Sequence, residues 1–307
     1  NEPAIFYSEK HLKEVFEKLE DYKKMNLDVN TFFEMQGMVG SICNNPEDYA
    51  SFYHNYKGRH YRHDQVHNLF GYYMTRSASE AFERYVPEKR ILLFSRASYI
   101  GMHRFGGIWQ GDNASWWSHL KMNVKMMPSL NMCGFLYTGA DAGGFGNDTT
   151  EDLMLRWLEF AVFTPLLRNH SARGTRRQEV YRFSHVEKFA DVIGVRYQIL
   201  PYIYSEYMKA ALQNTMMFNP LSFLYGEDAL AGQVEDQLFI GENVMVAPVC
   251  EQNVSGRVVY FPEHMKELIF KNGIIEEGKV YEKGFSYVEM QMGTVHIFLR
   301  EGYLFPV

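Results

Sequence analysis

Three things are scarce in this 307-residue sequence, and each scarcity closes a route. Cysteine is the first: Cys43, Cys133 and Cys250 are far apart and odd in number, so they read as buried free thiols rather than a disulfide framework. A reducing, cytoplasmic compartment is the expectation. Surplus positive charge is the second. Against 37 acidic side chains stand 31 basic ones, a net charge of −6, which leaves nothing to neutralise a phosphate backbone and excludes nucleic acid as a partner. Third, no run of about 18 apolar residues occurs, so no membrane-spanning helix is expected. The first residues hold neither an initiator Met nor a signal-like apolar stretch. There is no internal repeat and no low-complexity tract.

What is present is apolar and aromatic. Hydrophobic residues make up 46 % of the chain and aromatics 16 %, enough for a large core spread over one large or two modest domains. Trp109, Trp116 and Trp117 cluster. Aromatic faces stack on the C–H faces of sugars, although a tryptophan is by default a core residue.

Along the chain, Leu12, Val15, Phe16, Leu19 and Tyr22 fall at helical spacing and predict an amphipathic surface helix over 8–22. From Lys23 to Tyr61 periodicity is weak, and an irregular insertion is expected. A helix over His63–Tyr85 then leads, through Pro87-Glu88-Lys89, to the apolar run Ile91–Phe94, read as a buried strand. Further strand-like runs lie at 134–138 and 164–167. Between them Thr149-Thr150-Glu151-Asp152 opens a helix, and Ser184 with Glu187 opens another that carries Val186, Phe189, Ile193, Tyr197 and Leu200 inward, with Pro201 as a kink. This alternation argues for a parallel sheet flanked by helices, doubly wound or closed into a barrel. After Asn214 short β-like runs take over, including 244–249, 258–261 and 295–299, and predict an appended β-sandwich.

In a parallel barrel the reactive groups follow the strands. Ser95-Arg96, Gly111-Asp112-Asn113, Gly139-Ala140-Asp141 and Arg168-Asn169-His170 occupy those places, a rim suited to a polyhydroxylated ligand. Glycoside hydrolysis needs one carboxylic acid to protonate the leaving oxygen and a carboxylate on the opposite face of the ring. Asp112 and Asp141 are the candidates, and each is equally readable as a helix cap, Asp112 for a helix over 114–130. His60, His63 and His67 approach metal-ligand spacing, but with no H-E-x-x-H carboxylate they read as a solvated helix face. Gly143-Gly144-Phe145-Gly146 lacks the Lys-Ser/Thr of a phosphate loop and reads as a tight turn beneath a ligand.

Taken in order, these segments resemble glycoside hydrolase family 31. Asn1-Glu2-Pro3 is similar to the end of its W-x-D-M-N-E-P segment and Phe94-Ser95-Arg96 to its S-R-S strand end. Trp109-Gln110-Gly111-Asp112-Asn113 is similar to W-x-G-D-N, Gly139-Ala140-Asp141 with Phe145 to G-A-D-x-x-G-F, and Arg168-Asn169-His170 to R-N-H. Leu200-Pro201-Tyr202 with Tyr204, Val246-Ala247-Pro248-Val249 and Arg300-Glu301-Gly302 match later landmarks. The resemblance implies an α/β fold, the second half of a (β/α)8 TIM barrel followed by a small β-sandwich. Residues 1–62 would end barrel strand 4 and carry an inserted segment, 63–213 would supply strands 5–8, and 214–307 the β-domain.

It also implies an exo-acting retaining α-glucosidase that uses no metal and no organic cofactor. Asp112 would be the general acid/base; Arg96, Trp109, Phe145 and His170 would line the subsite for the non-reducing sugar, and Asp141 would position or bind. His103 and Arg104 would either reach a neighbouring sugar or belong to a plain loop. The family's nucleophile is the Asp two places before the Asn of D-M-N-E, and the sequence starts at that Asn. The expected partners are therefore a small α-glucoside and an upstream half of the same polypeptide, and the chain alone is expected to be inactive. Homo-oligomerisation is left open. The alternatives are α-xylosidase, α-transglucosylase or α-glucan lyase activity on the same scaffold, and a catalytically silent carbohydrate-binding subunit.

Overall fold

The computed structural model describes residues 9–25, 28–40 and 46–306, which fall in two compact units, 1–105 and 106–307. Asn1-Glu2-Pro3, Ser8, Cys43 and Asn44-Asn45 lie outside the described residues.

The first unit opens with helix α1 (Glu9–Tyr22). Its inward stripe is Leu12, Val15, Leu19 and Tyr22, spaced three, four and three, while Phe16 is exposed. One residue turns a helix by about 100°, which carries Phe16 off the stripe that Val15 occupies. The described residues of the stretch expected to be irregular are ordered instead. It forms helix α2 (Val29–Gly40), helix α3 (Pro46–Ser51) and a hairpin of β1 (Tyr53–Tyr56) with β2 (Arg59–Arg62). Two local devices that hydrophobic periodicity cannot register account for this. Asp28 and Thr31 cap α2 reciprocally, Thr31 N–H donating to Asp28 Oδ1 at 2.8 Å and Asp28 N–H to Thr31 Oγ1 at 2.7 Å. In the hairpin, Lys57 and Gly58 both have positive φ, 50° and 74°, the two-residue turn whose twist matches that of its strands.

The helix expected over His63–Tyr85 is broken into α4 (His63–Val66) and α5 (Leu69–Tyr85). His63 overturns the solvated-face reading, because it is 0 % exposed. Its Nδ1 lies 2.8 Å from His54 Nε2, and its ring packs edge-on against Tyr49 and His67 at 4.7 and 5.2 Å. Burial, with the charges of His54 and His67, holds its imidazole below the usual histidine range. Strand β3 is only Phe94–Ser95, and Ile91 and Leu92 are exposed. An apolar run gives a buried strand only where neighbours cover both its faces.

The second unit begins with β4 (Gly107–Ile108) and then helices α6 (Trp117–Met132), α7 (Glu151–Ala161) and α8 (Val186–Gln213). Thr150 caps α7 as expected, its hydroxyl accepting from Leu153 N–H at 3.4 Å. The proposed cap of α8 does not form. His185 takes the N-cap place without a side-chain bond, and the Glu151 carboxylate accepts from the backbone N–H of Ser184 and His185 instead. Pro201 lies inside α8 without ending it. The buried face of α8 is Phe189, Val192, Val195, Ile199, Tyr202 and Ile203, so Val186, Tyr197 and Leu200 point out, Tyr197 at 73 % exposure.

β5 (Phe218–Pro220), the short helix α9 (Leu221–Leu224), β6 (Leu238–Ile240) and β7 (Val244–Val246) follow. Then come β8 (Gly256–Phe261), β9 (Met265–Lys271), β10 (Ile274–Tyr281), β11 (Gly284–Glu289) and β12 (Val295–Arg300). They make an antiparallel sheet in the order β10-β9-β12-β7-β6-β5 and a second pair, β11-β8. Side chains alternate across a strand. Leu238, Ile240, Val244, Val246, Val295 and Ile297 therefore join the core that holds α6, α7 and α8. Phe239, Met245 and Phe298, their sequence neighbours, pack with Val259, Phe261 and Val288 of the second pair. With both faces covered, these strands read as unbroken apolar runs. Each such side chain contributes about 1.5–3 kcal/mol.

Of the cysteines, Cys250 is buried and Cys133 exposed, both free. The expectation of buried thiols fails at Cys133, which caps α6 at its C-terminus. Burial pushes the Cys250 thiol up to about 12. Among the described residues, no helix is long and apolar enough to cross a membrane.

Candidate active site

Three stretches of the second unit pair in parallel. Ile108 N–H donates to the Tyr137 carbonyl at 3.1 Å and Gln110 N–H to Gly139 at 2.9 Å. On the other edge Leu166 N–H donates to Thr138 at 3.1 Å, Ala142 N–H donates to Arg168 at 2.9 Å, and Asp141 bridges Arg168 in parallel. The runs expected at 134–138 and 164–167 thus pair through single bonds rather than regular strands. The approach is close enough to demand glycine: a Cβ on Gly139 would lie 1.9 Å from the Leu166 carbonyl oxygen, and one on Gly107 2.4 Å from that of Tyr137.

The ends of these stretches carry the polar groups. Asp112 is exposed between two anchored residues. On one side Gln110 is buried and donates through Nε2 to the Asn123 carbonyl at 3.1 Å. On the other, buried Asn113 accepts at Oδ1 from Asn123 Nδ2 at 3.3 Å, and its carbonyl accepts from Phe145 N–H at 2.7 Å and Gly146 N–H at 2.9 Å. The backbone under Asp112 is thereby held to α6 and to the neighbouring loop, so the point from which its carboxylate projects is set in advance of any ligand. Neither candidate carboxylate caps a helix: the N-cap of α6 is Trp116 and that of α7 is Thr150.

Asp141 is 0 % exposed. Its Oδ1 accepts a short hydrogen bond from Arg168 Nε, while Oδ2 has no hydrogen-bond partner among the described residues. Burial pushes its carboxyl above the usual range, Arg168 and His170 pull it back, and the charge of Asp112 adds to the upward push. Asp112, Asp141, Arg168 and His170 thus share one electrostatic neighbourhood. Two aromatic walls flank it: the Arg168 guanidinium lies 5.6 Å from the centre of the half-buried Trp109 ring, and Phe145 stacks on His170 at 5.3 Å and 30°.

Of the expected site residues, Trp109, Asp112, Asp141, Phe145 and His170 sit on adjacent strand ends. Arg96 belongs to the first unit, exposed directly after β3. Arg104, in the same unit, donates to Tyr72 Oη and to the Gly101 carbonyl, each at 3.2 Å. Trp116 is exposed and Trp117 packs on the core. Arg168, Gln110 and Asn123 received no role from the sequence. Arg168 stood in a quoted motif, but Asn123 lies in the middle of α6, where nothing in the pattern distinguishes it. Among the described residues no group of three or more His, Cys, Asp or Glu is arranged to hold a metal ion.

The model of the glycosyl hydrolases family 31 TIM-barrel domain matches residues 1–206, and that of the family 31 C-terminal domain matches residues 214–305. Alpha-glucosidase 2 of Bacillus thermoamyloliquefaciens is 32 % identical over 253 residues, 81 % of this chain and 31 % of the relative. Neutral alpha-glucosidase AB of Homo sapiens is 28 % identical, over 80 % of this chain and 26 % of the relative. A solved family 31 dextranase of Flavobacterium johnsoniae, complexed with glucose, superposes with a TM-score of 0.75 at 25 % identity, covering 85 % of this chain and 33 % of that one. The chain spans a third or less of the length of each. It belongs to glycoside hydrolase family 31 and carries the second half of the family's (β/α)8 barrel followed by its C-terminal β-sandwich domain.

Proposed function

We propose that this chain supplies the acid/base side of the catalytic site of an exo-acting, retaining α-glucosidase, which removes terminal α-linked glucose from small oligosaccharides. The observation that carries this is Asp112: an exposed carboxyl at a strand's C-terminal end, excused from helix capping and held between Gln110 and Asn113. In the first step it gives its proton to the leaving oxygen while a nucleophilic carboxylate about 5–5.5 Å away attacks the anomeric carbon. In the second it takes a proton from the water that cleaves the glycosyl-enzyme. Trp109 and Phe145 supply flat faces for the sugar, His170 a hydrogen-bond donor, and Asp141 the brace behind them. Arg96 is assigned a contact to a sugar hydroxyl on the family pattern alone. The nucleophile is proposed to lie on a part of the polypeptide outside this chain, which spans 31 % of its Bacillus relative.

The test is glucose release from maltose, isomaltose and an α-xyloside by the complete polypeptide, beside Asp112→Ala and this chain alone. Activity on the glucosides should fall by about 10²–10⁴ in Asp112→Ala and recover with a leaving group that needs no proton. This chain alone should be inactive. Undiminished maltose hydrolysis by Asp112→Ala removes Asp112 from the role, and preference for the xyloside shifts the assignment to α-xylosidase. Binding without hydrolysis by the complete polypeptide makes it a carbohydrate-binding subunit.

A further inference from the structure

Asp112 stands at the apex of a three-residue turn. Asn113 N–H donates to the Gly111 carbonyl at 3.1 Å, the i to i+2 bond of a γ-turn, and Gly111 enters the turn at φ 86°, where a side chain would be strained. The side chain of Asn113 closes the same turn a second time, its Nδ2 donating to the Gly111 carbonyl at 3.2 Å. An amide has a donor end and an acceptor end, and only one of its two orientations makes that bond. Asn123 selects the orientation: its Nδ2 donates to Asn113 Oδ1 at 3.3 Å, which leaves Asn113 Nδ2 directed at Gly111.

For packing alone, Asn123 is a poor choice. It is 1 % exposed on the stripe of α6 that also buries Leu120, Val124 and Met127, and its Oδ1 has no hydrogen-bond partner among the described residues. Burying an unmet acceptor is costly, and an apolar residue at this place would avoid the cost. The bond that its Nδ2 makes to Asn113 is what the amide supplies in return. Its backbone carbonyl also holds the chain on the other side of Asp112, accepting from Gln110 Nε2 at 3.1 Å.

We propose that Asn123 is a positioning residue for the general acid: by setting the Asn113 amide it keeps the Gly111–Asn113 turn closed, and the closed turn aims Asp112 at the leaving oxygen. The inference rests on the acid/base role proposed for Asp112. Proton transfer demands hydrogen-bond reach between the acid and the leaving oxygen, and a shift of about 1 Å in a reacting group can cost about 100-fold in rate. A turn closed once, by the backbone alone, has more ways to open than one closed twice.

The experiment compares maltose with a dinitrophenyl α-glucoside in the complete polypeptide, because only maltose has a leaving group that must be protonated. Asn123→Leu and the smaller Asn123→Ala both remove the donor to Asn113. Each is expected to lower kcat/KM for maltose by about 10–100-fold and to leave kcat/KM for the dinitrophenyl glucoside within about threefold of wild type. With the second substrate kcat and KM should fall together, since the glycosyl-enzyme forms at its usual rate and is cleaved slowly when the base is misplaced. Asn113→Leu should show the same split, and Asn113→Leu with Asn123→Leu no more than Asn113→Leu alone, because Asn123 acts through Asn113. A residue that merely stabilises the fold would lower both substrates alike, and the ratio within one variant cancels any loss of folded protein.

Equal losses on the two substrates, undiminished maltose hydrolysis or a strictly additive double variant overturns the proposal. Failure of both Asn123 variants to fold overturns it too, by assigning the residue to the fold alone. Failure of the parent reading is distinct: Asp112→Ala then shows no difference between the two substrates, and the inference falls with it. If Asp112→Ala shows the split and the Asn123 variants do not, only the inference falls.

Discussion

Glu151, the first residue of α7, closes the N-terminus of α8: its Oε1 accepts from the His185 backbone N–H at 2.8 Å and from His185 Nδ1 at 2.7 Å. Burial alone would push this carboxyl up, but the donors of His185 and Ser184 outweigh it and hold it below the usual range. A carboxyl depressed in the fold contributes stability that is present above its unfolded pKa of about 4.3 and is lost as pH falls through the lower folded value. Glu151→Ala is expected to cost about 1–2 kcal/mol at pH 7, and the difference from wild type should vanish towards pH 3 in urea melts. Equal losses at both pH values would mean that packing rather than capping is responsible.

Arg156 and Glu159 form a buried pair at 2.9 Å on α7. Arg156 also donates to the Met290 carbonyl at 2.8 Å, and Gly293 N–H donates to Glu159 Oε1 at 2.7 Å. Burial pushes the Glu159 carboxyl up to about 7 against the pull of Arg156. A carboxyl raised in the fold contributes stability that is fully present below its unfolded pKa and is lost as pH rises through about 7. Wild type should therefore lose stability across that interval, and Glu159→Gln should lack this slope. Because the fold favours the neutral carboxyl, the Gln variant should gain in stability relative to wild type as pH rises from 5 to 8. Arg156→Met with Glu159→Leu should likewise lack the slope in chemical denaturation.

Gly139→Ala places a methyl group inside contact distance of the Leu166 carbonyl oxygen. The two stretches must separate to admit it. The expected cost is about 3 kcal/mol or more, read as a lower thermal midpoint or as loss of soluble protein. A wild-type melting curve would mean that the two stretches part at little cost.

Tyr202 is buried in α8 with its hydroxyl 2.6 Å from both the Ile240 carbonyl and Asn243 Oδ1. Tyr202→Phe keeps the ring and leaves those acceptors short of a donor, at a cost of about 1–2 kcal/mol. Asn243→Ala in the same background should add little beyond the loss of its bond to Leu304, and a strictly additive cycle would exclude coupling between the two.

Sequence order was most informative where function constrains short segments. Asp112, Asp141 and His170 were legible because each follows an apolar run, and in a parallel sheet that position alone brings distant residues together; Trp109 and Phe145 entered through the family resemblance. Periodicity located α8 but misjudged its face: Tyr197 and Leu200 are apolar enough to count inward, yet the buried stripe runs through Val192, Val195 and Ile199. Lys23–Tyr61 looked irregular because the order of its described residues comes from a capping pair and a tight turn rather than from a hydrophobic repeat. His63 was missed for another reason. A buried histidine and a solvated one look the same in a sequence, and only the arrival of His54 from the hairpin distinguishes them.

The sheet β10-β9-β12-β7-β6-β5 has consequences for how the chain can be divided. Consecutive residues such as Met245 and Val246 face opposite compartments, the first towards β8 and β11 and the second towards the helices. Residues 214–307 cut free would bring Leu238, Ile240, Val244, Val246, Val295 and Ile297 into water as one continuous strip, and such strips drive aggregation. The match boundary between residues 206 and 214 therefore marks a seam in evolutionary bookkeeping, whereas in folding the sheet is a party wall that neither side can stand without.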